Sequence, residues 1–310
     1  KKSAPEADTP TLILADGGRY YGPLKDGLLD GEGRIVWRED NHYVGHFVRG
    51  RMHGHGKITA AYGVMEGEYR DGLLNGKGHA TNSGTTYEGD FVDGFPDGQG
   101  RMTYESGQRF EGQFKSGQFT GQGSMHQPHG MVTTGKFDQF KPVGVMVVKH
   151  PNGMQFTGEM DGERPKGVGE LRLPNGIRVR GDFNQAMDKG ELIYPNGDHY
   201  TGDLAMHEAH GNGELRHANG DVYRGAFSRG RPHGAGALTP AKGSKTRLQQ
   251  GQWLNGRYVG ANASTAEAAE DDSPAQAARN AQRALYVQNT LLATQMAALQ
   301  QSDPKAVELY

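Results

Sequence analysis

Glycine returns at Gly22, Gly45, Gly67, Gly89, Gly112, Gly135, Gly158, Gly181, Gly202, Gly225 and Gly251, at intervals of 23, 22, 22, 23, 23, 23, 23, 21, 23 and 26 residues. A chain with that period repeats one small supersecondary element, and each copy can bury its apolar side only against its neighbours. The 310 residues contain 49 glycines and are 34% hydrophobic, too little apolar bulk for a thick core. Glycine does not recur every third position, so a collagen-like helix is excluded. A thin, repetitive β structure satisfies both facts. A formal net charge of −2 gives no nucleic-acid footprint, and the absence of cysteine removes disulfides, thiolate metal sites and cysteine nucleophiles. The apolar stretch from Val143 to Val148, broken by Gly144, is far too short to span a membrane.

Residues 211–234 show the repeat plainly. A short strand from Gly213 to His217 meets Ala218-Asn219-Gly220, a turn signal because Asn and Gly tolerate positive φ. A second strand runs from Asp221 to Phe227, and a Gly-rich turn leads to Gly234 and Gly236. The same turn returns as Pro151-Asn152-Gly153, Pro174-Asn175-Gly176 and Pro195-Asn196-Gly197. Each repeat is therefore expected to be a β-hairpin in an antiparallel meander. Alternation puts Tyr223, Gly225 and Phe227 on one face, as it does Tyr87/Gly89/Phe91 and Phe110/Gly112/Phe114. A strand glycine between aromatics costs about 1 kcal/mol, which rings from neighbouring hairpins laid across it would offset at about 2–3 kcal/mol each. Two residues after each Gly-x-Gly turn, or its irregular counterpart, an apolar residue (Ile35, Ile58, Ala80, Met102, Met125, Met146, Leu171, Leu192, Leu215, Leu238) completes a thin core.

Tyr43-Val44-Gly45-His46-Phe47, Tyr87-Glu88-Gly89-Asp90-Phe91, Phe110-Glu111-Gly112-Gln113-Phe114 and Tyr223-Arg224-Gly225-Ala226-Phe227, each followed by Gly-x-Gly, resemble the membrane occupation and recognition nexus (MORN) repeat. The resemblance covers residues 18–260 as about eleven copies. It implies an elongated, gutter-shaped, single-layer antiparallel sheet of stacked hairpins that scaffolds or docks partners, with a disputed capacity to bind phospholipid. Two copies depart from the pattern. Thr133 and Val179 stand where the aromatic belongs, and Pro142 and Asp188 replace the first turn glycine. Drift in a surface loop explains these, with kinks or recognition points as the sharper alternative.

The organisation read from the sequence is a flexible segment 1–10, an array over 11–260, a linker 261–273, an α-helix 274–302 and a tail 303–310. Thr11 to Leu14 is expected to pair with Arg19 to Gly22 and cap the first edge, and Leu254 and Tyr258 to close the last repeat. Ser273-Pro274-Ala275-Gln276 has the cap and first-turn residues of a helix start. Leu285, Leu292, Met296 and Leu299 would form its contact stripe, which could cover the chain's own sheet, pair with a second copy or dock on another protein. The opening Lys1-Lys2-Ser3-Ala4-Pro5 reads as a trimmed or processed start. It suggests a periplasmic or exported bacterial protein, with a lipid anchor or a cytoplasmic location as alternatives.

Thirteen histidines invite a metal. His210 and His233, one repeat apart, would lie about 10 Å from each other, too far to share a zinc, so these and His53 read as exposed turn residues. His126/His129 and His207/His210 have no companion ligands in the sequence. No Gly-x-Gly run has a strand-to-helix context for phosphate, and no nucleophile elbow occurs, so neither cofactor nor catalysis is expected. The aromatic row Tyr43, Tyr87, Phe110, Phe156, Tyr200 and Tyr223 is expected to hold the sheet and, at its outer edges, to line a groove for a partner. The function that follows is a non-enzymatic scaffold binding a protein. An inhibitor or immunity protein against a secreted toxin, and a peripheral phospholipid binder, are the alternatives.

Overall fold

A computed structural model describes residues 9–262 except 163, 185 and 186, and every regular element among the described residues is a β-strand. The expected helix 274–302 and its stripe Leu285, Leu292, Met296 and Leu299 lie outside the described residues, as do 1–8 of the N-terminal segment and most of the linker. The chain divides into two compact units, one ending at Pro174 and the other beginning at Asn175.

In the first unit an antiparallel meander runs from Leu12–Ile13 to Arg164–Arg172, with a small separate hairpin of Leu24–Lys25 and Leu28–Leu29. The first edge is capped as expected: Leu12 pairs with Tyr20 and Ile13 with Arg19. Asp16 holds the connecting turn, accepting from the Gly18 N–H and from Trp37 Nε1, both at 2.9 Å. In the second unit the meander runs from Arg178–Asp182 to Arg257–Gly260.

Register explains the glycine period. Within the first unit Gly33, Gly45, Gly56, Gly67, Gly78, Gly89, Gly100, Gly112, Gly123 and Gly135 are successive cross-strand partners. In the second, Gly181, Gly190, Gly202, Gly213, Gly225, Gly236 and Gly251 do the same. Each unit therefore carries a bare furrow across its strands, one glycine wide, and large side chains from either flank fill it.

The strands are joined alternately by two turn types. Tight turns such as Asp71-Gly72 have positive φ at both central residues (51° and 92°), the geometry that matches strand twist in two-residue hairpins. Gln139-Phe140 (48°, 66°) and Met206-His207 (51°, 64°) adopt the same geometry without glycine. The wider turns use the expected Asn-Gly. Asn152, Asn196 and Asn219 accept from the N–H two residues on at 2.9–3.0 Å. At the bulges that follow the furrow, Asp90 and Asp203 accept the N–H groups of Gln99 (2.9 Å) and Asn212 (2.8 Å), which the displaced ladder leaves unpaired.

Candidate partner-binding surface

The six aromatic residues singled out by the sequence are all buried. Tyr43, Tyr87, Phe110, Phe156, Tyr200 and Tyr223 are between 0% and 4% exposed. Five of them lie along the furrow. A Cβ built on Gly56 would stand 2.5 Å from Tyr43 Cζ and 2.6 Å from its Cε2, and Gly169 is covered as closely by Phe156, Gly213 by Tyr200 and Gly236 by Tyr223. Tyr87 covers Gly100 in the same way. The sheet thus admits no side chain at these positions because a ring already occupies the space.

Each ring covers the facing glycine of the next hairpin, as the sequence reading expected, and also the glycine of its own strand, which that reading had left to neighbouring hairpins. Tyr43 reaches over Gly45 on its own strand and Gly56 across the tight turn. Rings of adjacent repeats also meet edge to face, Tyr43 with Tyr69 at 5.4 Å, Tyr87 with Phe114 at 5.0 Å and Tyr200 with Phe227 at 4.8 Å. Each such pair adds about 0.5–1.5 kcal/mol beyond burial.

Each tyrosine hydroxyl then donates to the carbonyl three residues on: Tyr43 to His46 (3.2 Å), Tyr87 to Asp90 (3.0 Å), Tyr200 to Asp203 (2.6 Å) and Tyr223 to Ala226 (3.0 Å). Burial pushes the phenols of Tyr87, Tyr200 and Tyr223 up to about 12, helped at Tyr87 by the Asp90 charge and at Tyr200 by Asp203. At neutral pH they are fixed neutral donors.

Where the aromatic is missing or displaced, another side chain takes its seat. Phe110 does not cover glycine; it packs between Phe119 and Phe140, both at 5.1 Å, while Phe119 lies over Gly123. Leu74 crosses to Gly67 and Gly78 in the repeat that has Met65 for the ring. In the two irregular repeats, Met146 Sδ would be 2.6 Å from a Cβ on Gly135, and Met187 Sδ 3.0 Å from one on Gly181. Thr133 and Val179 are themselves buried. The departures are changes of filler, with the furrow closed in every case.

The residues that remain accessible are different ones. In the second unit Leu215 and Leu238 are half-buried, and with Tyr223, Pro232, Trp253 and Tyr258 they line an open cleft of about 480 Å³. Gln249, Gly256, Arg257 and His217 complete its lining. Trp253, at 5% exposure, is the buried residue that closes the last repeat, in place of the expected Leu254. It stacks edge-on with Tyr223 (5.0 Å) and tilted against Tyr258 (5.5 Å), and its Nε1 donates to the Gly236 carbonyl (3.3 Å). The sequence reading placed Leu215, Leu238 and Tyr258 but did not join them into a cleft. The available signal was the last interval, 26 residues against the usual 22 or 23, with a tryptophan two residues beyond the glycine that ends it.

The histidines are also placed differently. His53 and His233 are half-buried strand residues rather than exposed turn residues, and His233 Nδ1 is buried without a hydrogen-bond partner among the described residues. Among the described residues no three His, Asp or Glu side chains are grouped to hold a metal ion.

On the opposite face of the first unit, bases on one strand meet acids on the next: Lys57 with Glu66 (3.0 Å), Lys77 with Asp90 (2.6 Å) and Arg101 with Glu111 (3.2 Å). Such exposed pairs contribute at most about 1 kcal/mol each and mark a solvated surface.

Six segments, residues 43–61, 66–83, 87–109, 110–132, 200–222 and 223–245, match the MORN repeat family. No curated protein sequence matches the chain. Solved structures with detectable likeness include the SAS-4 (dCPAP) TCP domain of Drosophila melanogaster in complex with a proline-rich motif of Ana2 (dSTIL). It is 19% identical, with 49% of this chain and 84% of that one covered and a TM-score of 0.36. Another is the wild-type TCP10 domain of Danio rerio CPAP in complex with a peptide of Danio rerio STIL, 17% identical, covering 77% and 98%, at a TM-score of 0.30. Likeness this slight has no bearing on what the present chain binds. The matched segments, their filled glycine seats and the hairpin meander agree, and over these six segments the chain is built of MORN repeats.

Proposed function

We propose that this array is a non-enzymatic scaffold that holds a protein partner, and that a segment of the partner seats in the cleft of the second unit. The observation that supports it is the cleft itself, about 480 Å³ with Leu215, Leu238, Trp253 and Tyr258 in its lining and Arg257 among them to orient a polar group. An apolar depression with few charged groups is the usual form of a recognition site. The tyrosines, tied to backbone carbonyls with phenols near 12, are poorly suited to acid–base work and well suited to rigidity.

The test is affinity capture from the native host with wild-type protein and with Leu238→Asp, which puts a charge into the half-buried cleft wall. A partner held by wild type and lost from the variant, with the circular dichroism unchanged, supports the cleft. Equal recovery by both would remove it from consideration.

A further inference from the structure

The outward face of the first unit changes character at one strand. From Arg51–Ala60 to Gln118–His126 it is laid with charged pairs, Lys57 with Glu66 and Arg101 with Glu111 among them. On Lys141–Lys149 the outward side chains are Lys141, Val143, Val145, Val147 and Lys149, while Met146 and Val148 between them are buried. Val143 is 45% and Val145 64% exposed. Neither the furrow nor strand propensity calls for these valines. Met146 fills the seat at Gly135 from the other face, and the adjoining strands place threonine, Thr134 and Thr157, directly opposite Val147. A contiguous apolar row open to water marks a contact surface.

Two features select what covers it. The strand is hydrogen-bonded on both sides, to Val132–Asp138 and to Gln155–Asp161, so no further strand can be added and only side chains are on offer. Lysines also bracket the row: at about 3.4 Å per residue, Lys141 and Lys149 stand about 27 Å apart. Neither is in an ion pair among the described residues, although Asp138 stands opposite Lys141; the cross-strand neighbours of Lys149 are Val132 and Gln155. Lys136, opposite Val143, is a third unpaired base, and Glu159, opposite Val145, faces Lys166 on its other side. Any two-fold that set the row upon itself would bring Lys141 against a lysine, its own equivalent if the strands ran the same way and Lys149 if they ran oppositely. The charges therefore disfavour a second copy.

We propose that this face receives an amphipathic helix of another protein, with an aliphatic stripe for Val143, Val145 and Val147 and carboxylates at both ends for Lys141 and Lys149. The apolar faces of helices and sheets pack upon one another, and about 27 Å takes about 18 helical residues at 1.5 Å each. The valines supply the contact area. The lysines fix the helix along the strand and turn away a cationic one, whose ends would meet like charge. The surface lies wholly in the first unit, and none of its residues lines the cleft of the second.

NMR titration of the full chain, labelled at its valine methyls, with two helical peptides of about 18 residues tests this. Both peptides carry the same leucine stripe, but one ends in glutamates and the other in lysines. The glutamate peptide should shift the methyls of Val143, Val145 and Val147. It should also bind about five- to tenfold tighter than the lysine peptide, as two exposed ion pairs in place of two repulsions would give. K141E/K149E should invert that preference. V143T/V145T/V147T, which keeps the side chains β-branched, should abolish the shifts while leaving the circular dichroism unchanged. In the free protein a soluble paramagnetic agent should broaden the Val145 methyls at every protein concentration. The proposal is overturned if neither peptide moves these methyls, if both bind equally, or if K141E/K149E leaves the preference as it was. It also falls if Val145 is shielded without peptide, because another part of the chain or a second copy would then already occupy the face.

Discussion

Gly236→Ala isolates the relation between ring and glycine. Gly236 does not have a positive φ, so alanine suits its backbone, and only space opposes the substitution. The added Cβ would lie 2.5 Å from Tyr223 Cζ and 2.7 Å from Cε2, about 1 Å inside ordinary contact. Tyr223 cannot back away freely, with Phe227 at 5.1 Å on one side and Trp253 at 5.0 Å on the other. Overpacking of this kind costs about 1–3 kcal/mol, and the lost hydroxyl bond to Ala226 about 1 more, so about 2–4 kcal/mol is expected in all. The chain has two tryptophans, so a Trp37→Phe background leaves Trp253, which touches the displaced ring, as the only reporter. In urea the Trp253 midpoint should fall by about 1–2 M for a typical slope. Tyr223→Ala alone should cost about 3–5 kcal/mol, and adding Gly236→Ala to it almost nothing, a coupling of about 2–4 kcal/mol. Strictly additive losses, or a single Gly236→Ala within about 0.5 kcal/mol of wild type, would mean the furrow is not closed by the ring and would sink the account.

Three further outcomes are expected. Hydrogen bonds from the Ala241 N–H and the Thr246 hydroxyl hold the Asp221 carboxyl down to about 2, against an ordinary 3.8. Its stabilisation is therefore complete above about 4 and lost as pH falls toward about 2; urea midpoints read at Trp253 should drop over that window, and Asp221→Asn should flatten the drop. Met206, 78% exposed at φ 51°, should gain about 0.5–1 kcal/mol when replaced by asparagine, which tolerates that conformation; an unchanged or lower melting temperature would refute the strain. Burial lowers the pKa of His207, so its imidazole should titrate by NMR below the usual 6.5; a midpoint at or above 6.5 would contradict its half-buried placement.

The sequence was most legible where one residue type is obligatory. Gly45, Gly56 and Gly67 must face one another, and only glycine leaves room beneath a ring, so the period appears directly in the letters. The capping pair Leu12 and Tyr20 was readable for a similar reason, because an edge needs a partner. Less legible was which side chain fills a seat once the tyrosine is gone. Phe119 covers Gly123 of its own strand, Leu74 covers Gly78 of its own strand and Gly67 across a tight turn, and Met146 reaches Gly135 across another. Nothing in a linear pattern marks a side chain as crossing between strands. The aromatic row was expected to leave its outer edges lining a groove, and its near-complete burial was not foreseen, because rings in adjacent repeats meet edge to face. The turns Gln139-Phe140 and Met206-His207 were invisible for the opposite reason: they use residues that ordinarily argue against positive φ.

That the filler changes while the furrow persists says what is being maintained. A furrow left open would expose backbone on one side and leave a void on the other, and neither Thr133 nor Val179 is large enough to close it. Met146 and Met187, unbranched and adaptable, can reach in where a rigid ring is absent. The stiffness of the array therefore resides in the occupied seat and not in the tyrosine as such, which frees every outward position to vary. A partner would then be held by residues that the repeat does not need. In this chain the positions free of that demand include the half-open rim around Leu215, Leu238 and Tyr258, and the lengthened loop bearing Lys242, Lys245 and Arg247. Both lie in the last repeats of the second unit, where the regular period of 22 or 23 residues gives way to 26. A partner surface placed there can change without disturbing a single glycine of the furrow, which is the physical reason a monotonous scaffold can carry a specific site.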